Sequence, residues 1–347
     1  MTKAGIRTPW AEPPAEGAAT EVAPGVLWIR MPLPMALDHV NCFALDDGDG
    51  WTLVDTGVNS SRSRAIWQGV MAGPLKGRPV TRLVVTHHHP DHVGLAGWFQ
   101  TEHGAELLMS RVAWLMARML VLDEEERATP EAVAFWRASG MRADIFEKRV
   151  AERPFNFADI VARMPAGYTR LEDGGRIRMG GRDWDIRFGH GHAPHHATFW
   201  SRDDDLVLGG DQLLATISPN LGVFPTEPLA DPVAEWLESC HRLAEFARPE
   251  QLVLPGHKLP YRGLPFRMTQ LITNHDHALD RLRAHLATAP ATAGGCFPPL
   301  FKREIGEREY GLALVEAVAH LNHLLHLGEV TRDLNDDGAW VWRLNAD

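Results

Sequence analysis

Between Arg82 and Gly94 the chain reads RLVVTHHHPDHVG, with four histidines and an aspartate inside six residues, directly after a short apolar run. In an extended segment His87 and His89 point to one side and His88 to the other. Pro90 cannot continue a strand ladder, so it forces a turn before Asp91 and His92. Imidazoles mixed with carboxylates suit Zn2+ or another borderline divalent ion, whereas Ca2+ and Mg2+ take oxygen ligands. His87, His89, Asp91 and His92 are therefore candidate ligands, and His88 is the spare. Four ligands do not complete a two-metal site. Further candidates stand at three other strand ends: GHGHAPHH (189–196) after WDIRF, Asp211 closing LVLGGD, and His257 closing LVLPGH.

Taken together, these stretches resemble the metallo-β-lactamase-fold hydrolase superfamily, whose dinuclear members carry THxHxDH, GHTPGH, GD and PGH in this order; the match spans roughly residues 20–265. The resemblance implies one metal on His87, His89 and His192, a second on Asp91, His92 and His257, and Asp211 as the bridge. His192 is chosen because GHAPHH aligns with GHTPGH at the Gly-His, the Pro and the final His. His190 and His195 are then structural or pocket residues, and His196 lines the site. Asp55, in VDTG, either supports the ligand loop or simply forms the turn before Gly57. Two divalent ions, Zn2+ first with Fe or Mn as alternatives, would generate a bridging hydroxide and polarise the scissile oxygen. Asp91 or a bridging carboxylate would handle the proton, and no organic cofactor is expected. Lactonase-type relatives often place a tyrosine three residues after the bridging aspartate; here that residue is Leu214, and Tyr261 is the substitute donor.

The elements that must position these residues read as α/β. GVLWIRMPL (25–33), VNCFAL (40–45), WTLVDTG (51–57), RLVV (82–85) and ELLMS (106–110) read as strands, with a helix beginning near Val93. A helical insertion at about 110–165 includes TPEAVAFWRASG, with Thr129 as N-cap, Pro130 at the first helical position and Gly140 as stop. Strands resume at 176–190, 196–201, 205–211 and 251–257, with a helix at 231–246 between the last two. The expected architecture is an αββα four-layer metallo-β-lactamase sandwich over 1–265, followed by a winged-helix-like domain over 266–347. The latter resembles the winged-helix domain appended to some members of the superfamily: EREYGLALVEAVAHLNHLLHLG reads as a helix, and EVTR with AWVWRL as a hairpin.

Composition limits the partners. The 347 residues carry 35 Lys and Arg against 45 Asp and Glu, a net charge of -10, which disfavours a polyanion. From Lys302 onward there are five basic residues (Lys302, Arg303, Arg308, Arg332, Arg343) against nine acidic ones. No DNA groove helix is expected there, and packing or pocket closure is. The apolar face of 308–327, including Leu312, Leu314, Val315, Val318, Leu321, Leu324 and Leu325, calls for cover from the hydrolase body or from a second subunit in a homodimer. His320, His323 and His326 share a helix face with no carboxylate in view. Insertion residues Trp114, Met116, Met119, Phe135, Trp136, Phe146 and Phe155 form core or an apolar substrate wall, and Arg111, Arg118, Arg137 and Arg142 form a solvated face in preference to contacts with an anionic substrate. Cys42, Cys240 and Cys296 suggest no disulfide framework, and the N-terminal stretch has no secretory core, so a cytoplasmic protein without membrane attachment is expected. The expected activity is hydrolysis of a carboxylic thioester, ester or lactone in a small molecule. The alternatives are phosphodiester cleavage on RNA and, in a different class, a DNA-binding regulator with a vestigial site.

Overall fold

The computed structural model describes residues 5–35 and 37–345. It divides into two compact units. The first holds the chain up to Glu124, then Asn156–Pro219 and Leu243–Met268; the second holds Glu125–Phe155, Asn220–Arg242 and the chain from Thr269.

In the first unit, β1 (Ala19–Ala23), β2 (Val26–Pro32), β3 (His39–Asp46) and β4 (Trp51–Val54) form an antiparallel meander. From β4 the chain crosses through α1 (Ser61–Ala72) to β5 (Val80–Val84). It then passes through α2 (Pro90–Val93) and α3 (Ala96–His103) to β6 (Glu106–Ser110) and on into α4 (Arg111–Leu122). With β7 (Thr169–Leu171) these strands make one sheet in sequence order, parallel from β4 onward. A second sheet runs β12-β11-β10-β9-β8. Its strands are β8 (Arg176–Met179), β9 (Arg182–Gly189), β10 (His196–Ser201), β11 (Leu206–Gly210) and β12 (Leu252–Pro255), and only β11 and β12 are parallel.

Period-two alternation decides which side chains meet. Trp28, Phe43, Leu45 and Val84 of the first sheet pack with Trp184, Ile186, Phe188, Phe199, Leu208 and Leu254 of the second. The opposite face of the first sheet, with Ile29, Val40, Leu53, Leu83 and Leu107, buries Trp67 of α1, Phe99 of α3 and Ala113 and Ala117 of α4. Burial at about 25 cal/mol per Å2 of apolar surface is the main force holding these layers. The parallel strands β4 and β5 of the first sheet and β11 and β12 of the second end in loops, at the edge where α/β sheets present ligand sites.

The second unit contains α5 (Pro130–Ala138), α6 (Ala143–Ala151), most of α7 (Pro232–Ala244) and of α8 (Leu264–Leu286), then α9 (Phe297–Phe301) and α10 (Glu307–His326). A hairpin of β13 (Val330–Leu334) and β14 (Trp340–Leu344) follows. Thr129 caps α5 as read from the sequence, its hydroxyl accepting the Ala132 N–H, and Gly328 ends the α10 turn at φ 73°. The segment from 110 to 165 is divided: α4 belongs to the first unit, α5 and α6 to the second. On α10, Leu314, Val318, Leu321 and Leu324 are buried, but Leu312 is 58% exposed, so the apolar face is narrower than expected. The histidines of this helix also differ from the reading above, because a carboxylate is present: His323 Nδ1 lies 3.0 Å from Asp231 Oδ2. His320 is buried against His275. Among the described residues no helix is long and apolar enough to cross a membrane.

Glu316 of α10 accepts a 2.7 Å hydrogen bond from Asn220 Nδ2. Burial nevertheless pushes its carboxyl up to about 7 from the ordinary 4.5. A raised carboxyl stabilises the fold fully below the unfolded value of 4.5, and that contribution is lost as pH rises through about 7. The melting temperature should therefore fall across this interval, and Glu316→Gln should flatten the fall. A Gln variant that keeps the wild-type slope would show that the titrating group lies elsewhere.

Candidate metal centre

The histidine loop leaves β5 at Thr86, and Asp55, at the end of β4, fixes its course. Asp55 stands at φ 61°, a costly conformation for a non-glycine residue. It is offset by three donors to its carboxylate. Thr86 N–H and Oγ1–H donate at 2.8 and 2.9 Å, and His92 Nδ1–H donates at 2.7 Å. Asp55 thus holds the ligand loop as well as the turn. The Thr86 hydroxyl, having given its proton to Asp55, accepts from His87 Nδ1–H at 3.0 Å. Both rings are thereby fixed as Nδ1–H tautomers with Nε2 lone pairs left over. Those Nε2 atoms, with Asp211 Oδ1, are buried and have no hydrogen-bond partner.

Three groups of donors assemble, each within 4.8 Å: His87, His89 and His192; His87, His92 and Asp211; Asp91, His92 and His257. Asp211 is central. Its Oδ1 lies 3.4 Å from His92 Nε2, and its Oδ2 lies 3.4 Å from His192 Nε2 and 3.3 Å from His257 Nε2. Asp91 Oδ2 stands 3.2 Å from His257 Nε2, with the more exposed of the two carboxylates. All seven candidate ligands are therefore brought to one place. His88 joins none of the three groups; its ring stacks over Phe157 at 6.5 Å, and burial lowers its pKa to about 3. His190 and His195 lie against each other, 5.3 Å between ring centres, and join none either.

His196 is fully buried and stacks on His87 at 4.5 Å. Its Nε2 accepts the Asp211 backbone N–H at 3.0 Å, so it supports the Asp211 turn from behind and does not present that nitrogen to a substrate. Tyr261 is also fully buried, its backbone paired with Val253.

Sequence reasoning overlooked two features. Asn41 in β3 donates through Nδ2 to Pro255 O at 2.9 Å and to Lys258 O at 2.8 Å, and accepts Trp28 Nε1–H at 2.8 Å. With His257 Nδ1–H donating to His39 O at 2.8 Å, it ties the His257 loop to β3. An amide inside the apolar run HVNCFAL was the available signal. Gly256 is the second: a methyl there would overlap Asp211 Oδ1 and stand 2.8 Å from His92 Cε1.

The electrostatics favour a cation. Burial lowers His87 and His89 well below the ordinary 6.5, keeping both neutral and able to coordinate. Burial would also lower His92 and His257, but the carboxylates reverse it: Asp211, Asp91 and Asp55 raise His92, and Asp211 and Asp91 raise His257 to about 10. Burial opposes ionisation of Asp211, and His257 and His92 overcome it. Uncoordinated imidazole nitrogens and carboxylate oxygens facing one centre fit a divalent metal of the nitrogen-and-oxygen type. Cys42, Cys240 and Cys296 are buried free thiols outside these groups.

Removing the Asn41 amide leaves Pro255 O, Lys258 O and Trp28 Nε1 without it, at about 1–3 kcal/mol for each buried group left unpaired. Asn41→Ala should therefore lower the melting temperature and speed amide exchange at Gly256 and His257. Unchanged exchange at those residues would show that the strap is not what holds the loop.

The chain is similar to known proteins. The metallo-beta-lactamase superfamily matches residues 35–281, and the metallo-beta-lactamase-like C-terminal domain matches 279–345. The probable metallo-hydrolase YqjP of Bacillus subtilis (strain 168) is 26% identical over 307 residues, covering 86% of this chain and 92% of the relative. A crystal structure of a beta-lactamase domain protein from Burkholderia ambifaria superposes with a TM-score of 0.89 at 36% identity over 98% of both chains. A metallo-beta-lactamase family protein from Thermus thermophilus gives 0.77 at 27% identity, covering 94% of this chain and 100% of its own. The mixed α/β sandwich, the order of the motifs and the match over most of its length agree: the chain belongs to the metallo-beta-lactamase superfamily.

Proposed function

We propose that the chain is a dinuclear metal-dependent hydrolase of a carboxylic thioester, ester or lactone in a small molecule. One observation carries this reading: the Asp211 carboxylate stands within 3.4 Å of imidazoles from both candidate ligand sets, His192 of one and His92 and His257 of the other. His87, His89 and His192 would hold one ion, and Asp91, His92 and His257 the other. When bound, two divalent ions, Zn2+ before Fe or Mn, acidify a water and polarise the oxygen of the bond to be cleaved. The protein's own part is orientation and proton handling. Asp55, Thr86 and the His39 carbonyl fix the tautomers of His92, His87 and His257. His196 holds the Asp211 turn, and Asp91, the more exposed carboxylate, takes the proton and returns it to the leaving group. A hydrolase reading is in keeping with the Bacillus relative, which is named a probable metallo-hydrolase.

The second unit supports a small-molecule partner in preference to nucleic acid. Of the five cations beyond residue 301, Arg303 pairs with Glu309 at 2.5 Å, Arg332 donates to Asn322, and Arg343 lies 3.9 Å from Asp333. Few remain for phosphate contacts, although the run α10–β13–β14 keeps the order of a winged-helix-like domain. Three buried free cysteines are in keeping with a reducing, cytoplasmic setting.

Metal analysis should return about two ions per chain for the wild type, following the two-metal scheme. His88→Ala should stay near that value, His87→Ala or His89→Ala should lose about one, and Asp211→Ala should lose both and all turnover. Equal loss in every histidine variant would sink the assignment.

A panel of acyl thioesters, lactones and bis-p-nitrophenyl phosphate on metal-quantified protein tests the substrate. Turnover of thioester, ester or lactone is expected, and cleavage of the phosphodiester alone would replace this reading with a phosphodiesterase.

A further inference from the structure

Arg149 lies on α6, away in sequence from every residue of the centre above. Its guanidinium is half-buried, yet no carboxylate, carbonyl or side-chain oxygen among the described residues takes a hydrogen bond or ion pair from it. Among those residues its partner is the Trp136 ring of α5, 5.6 Å from the guanidinium carbon. Burial lowers its pKa with no opposing charge beside it. Five donors held partly out of water without an acceptor are costly. Arg118, by contrast, donates to the Met164 and Pro165 carbonyls, and Arg283 donates to Glu329.

The neighbouring residues make room for this group without neutralising it. Gly311 of α10 faces the guanidinium, and a methyl at this position would overlap its Nη2. Two acids of this region are engaged by other cations: Glu307 by Lys148 and Asp144 by Arg142, each at 2.6 Å. Beside Arg149 and Gly311 in sequence stand Val150, 40% exposed, and Leu312, 58% exposed. A planar fork against an indole, with apolar neighbours and no protein anion, suits a carboxylate or phosphate carried on an apolar tail.

The geometry points to a binding site for the oxyanion head of a small amphiphile at Arg149, built within the second unit from Trp136, Arg149 and Gly311. The site stands independently of the hydrolase reading, since none of its residues belongs to the histidine cluster. Two sources share this chemistry, a carboxylate and a phosphate, and a pair of probes with the same tail separates them.

The test follows the Arg149 Nε–Hε nuclear magnetic resonance signal of the full-length, metal-loaded protein, assigned by its loss in Arg149→Lys. Hexanoate, hexyl phosphate and hexanol are titrated in turn. A saturable shift with hexanoate or with hexyl phosphate, and none with hexanol, is expected, and the tighter of the two names the head group. Calorimetric affinity for that probe should fall about tenfold in Arg149→Lys, where the fork is lost but the charge kept, and further in Arg149→Gln. A signal unmoved by both anions overturns the inference, including when the anions bind only at the histidine cluster. So does hexanol shifting it equally. The wild-type titration decides even if the Gln variant fails to fold.

Discussion

A single buried carboxylate, Asp55, joins the strand ends that form the centre, taking the Thr86 amide and hydroxyl and the His92 ring N–H. From there one contact leads to the next. Thr86 sets the His87 ring, His87 stacks on His196, and His196 receives the amide of Asp211. Gly256 leaves room for the Asp211 carboxylate, and His257 is tied back to β3 through the His39 carbonyl. Each buried polar atom left without a partner costs about 1–3 kcal/mol, so a cluster with several of them does not assemble by its own attraction. The two apolar layers flanking the first sheet supply the driving force, and the hydrogen bonds convert it into direction.

That division explains what could be read from the chain. Ligand candidates stood out because coordination needs particular atoms at particular strand ends, so THHHPDH, GHGHAPHH, GGD and PGH are visible as residue types. Alternation along an extended loop separated His88 from His87 and His89 without further information. The parts that hold these residues were less visible. Asn41 acts through backbone carbonyls about 215 residues away, a relation no spacing encodes. His196 looked like a pocket residue by alignment, yet its nitrogen serves the Asp211 backbone.

Secondary structure followed the same rule. Strands β2 and β9 alternate, and β3 and β10 are nearly continuous buried runs, so all four were legible. β1 and β7 are edge strands, ATEVA and TRL, with too few large apolar residues to register. α1 buries only Ser63, Trp67 and Val70, and its polar composition concealed it. α8 begins with Pro265 in its first turn and interrupts its apolar positions with Asn274, His275, Asp276 and His277, so its 23 residues passed unread. In α10 the spacing located the helix, while the presence of Asp231 beside His323 depended on a segment about 90 residues earlier.

The alternation of the two units along the chain has a consequence for how the protein is made. Six stretches belong to the units in turn, so the backbone passes from one to the other five times. Neither unit is a bead that a single cut could release or a gene fusion could append. On the ribosome, the first unit has its last strand only after Leu252–Pro255 emerges, and the second waits for the hairpin at the very end. A nascent chain therefore carries α5 and α6 through about 155 further residues before α10 begins, the helix whose Gly311 faces Arg149. Through that interval they lack this partner, and hydrophobic surface left open during folding is the aggregation-prone kind that chaperones shelter.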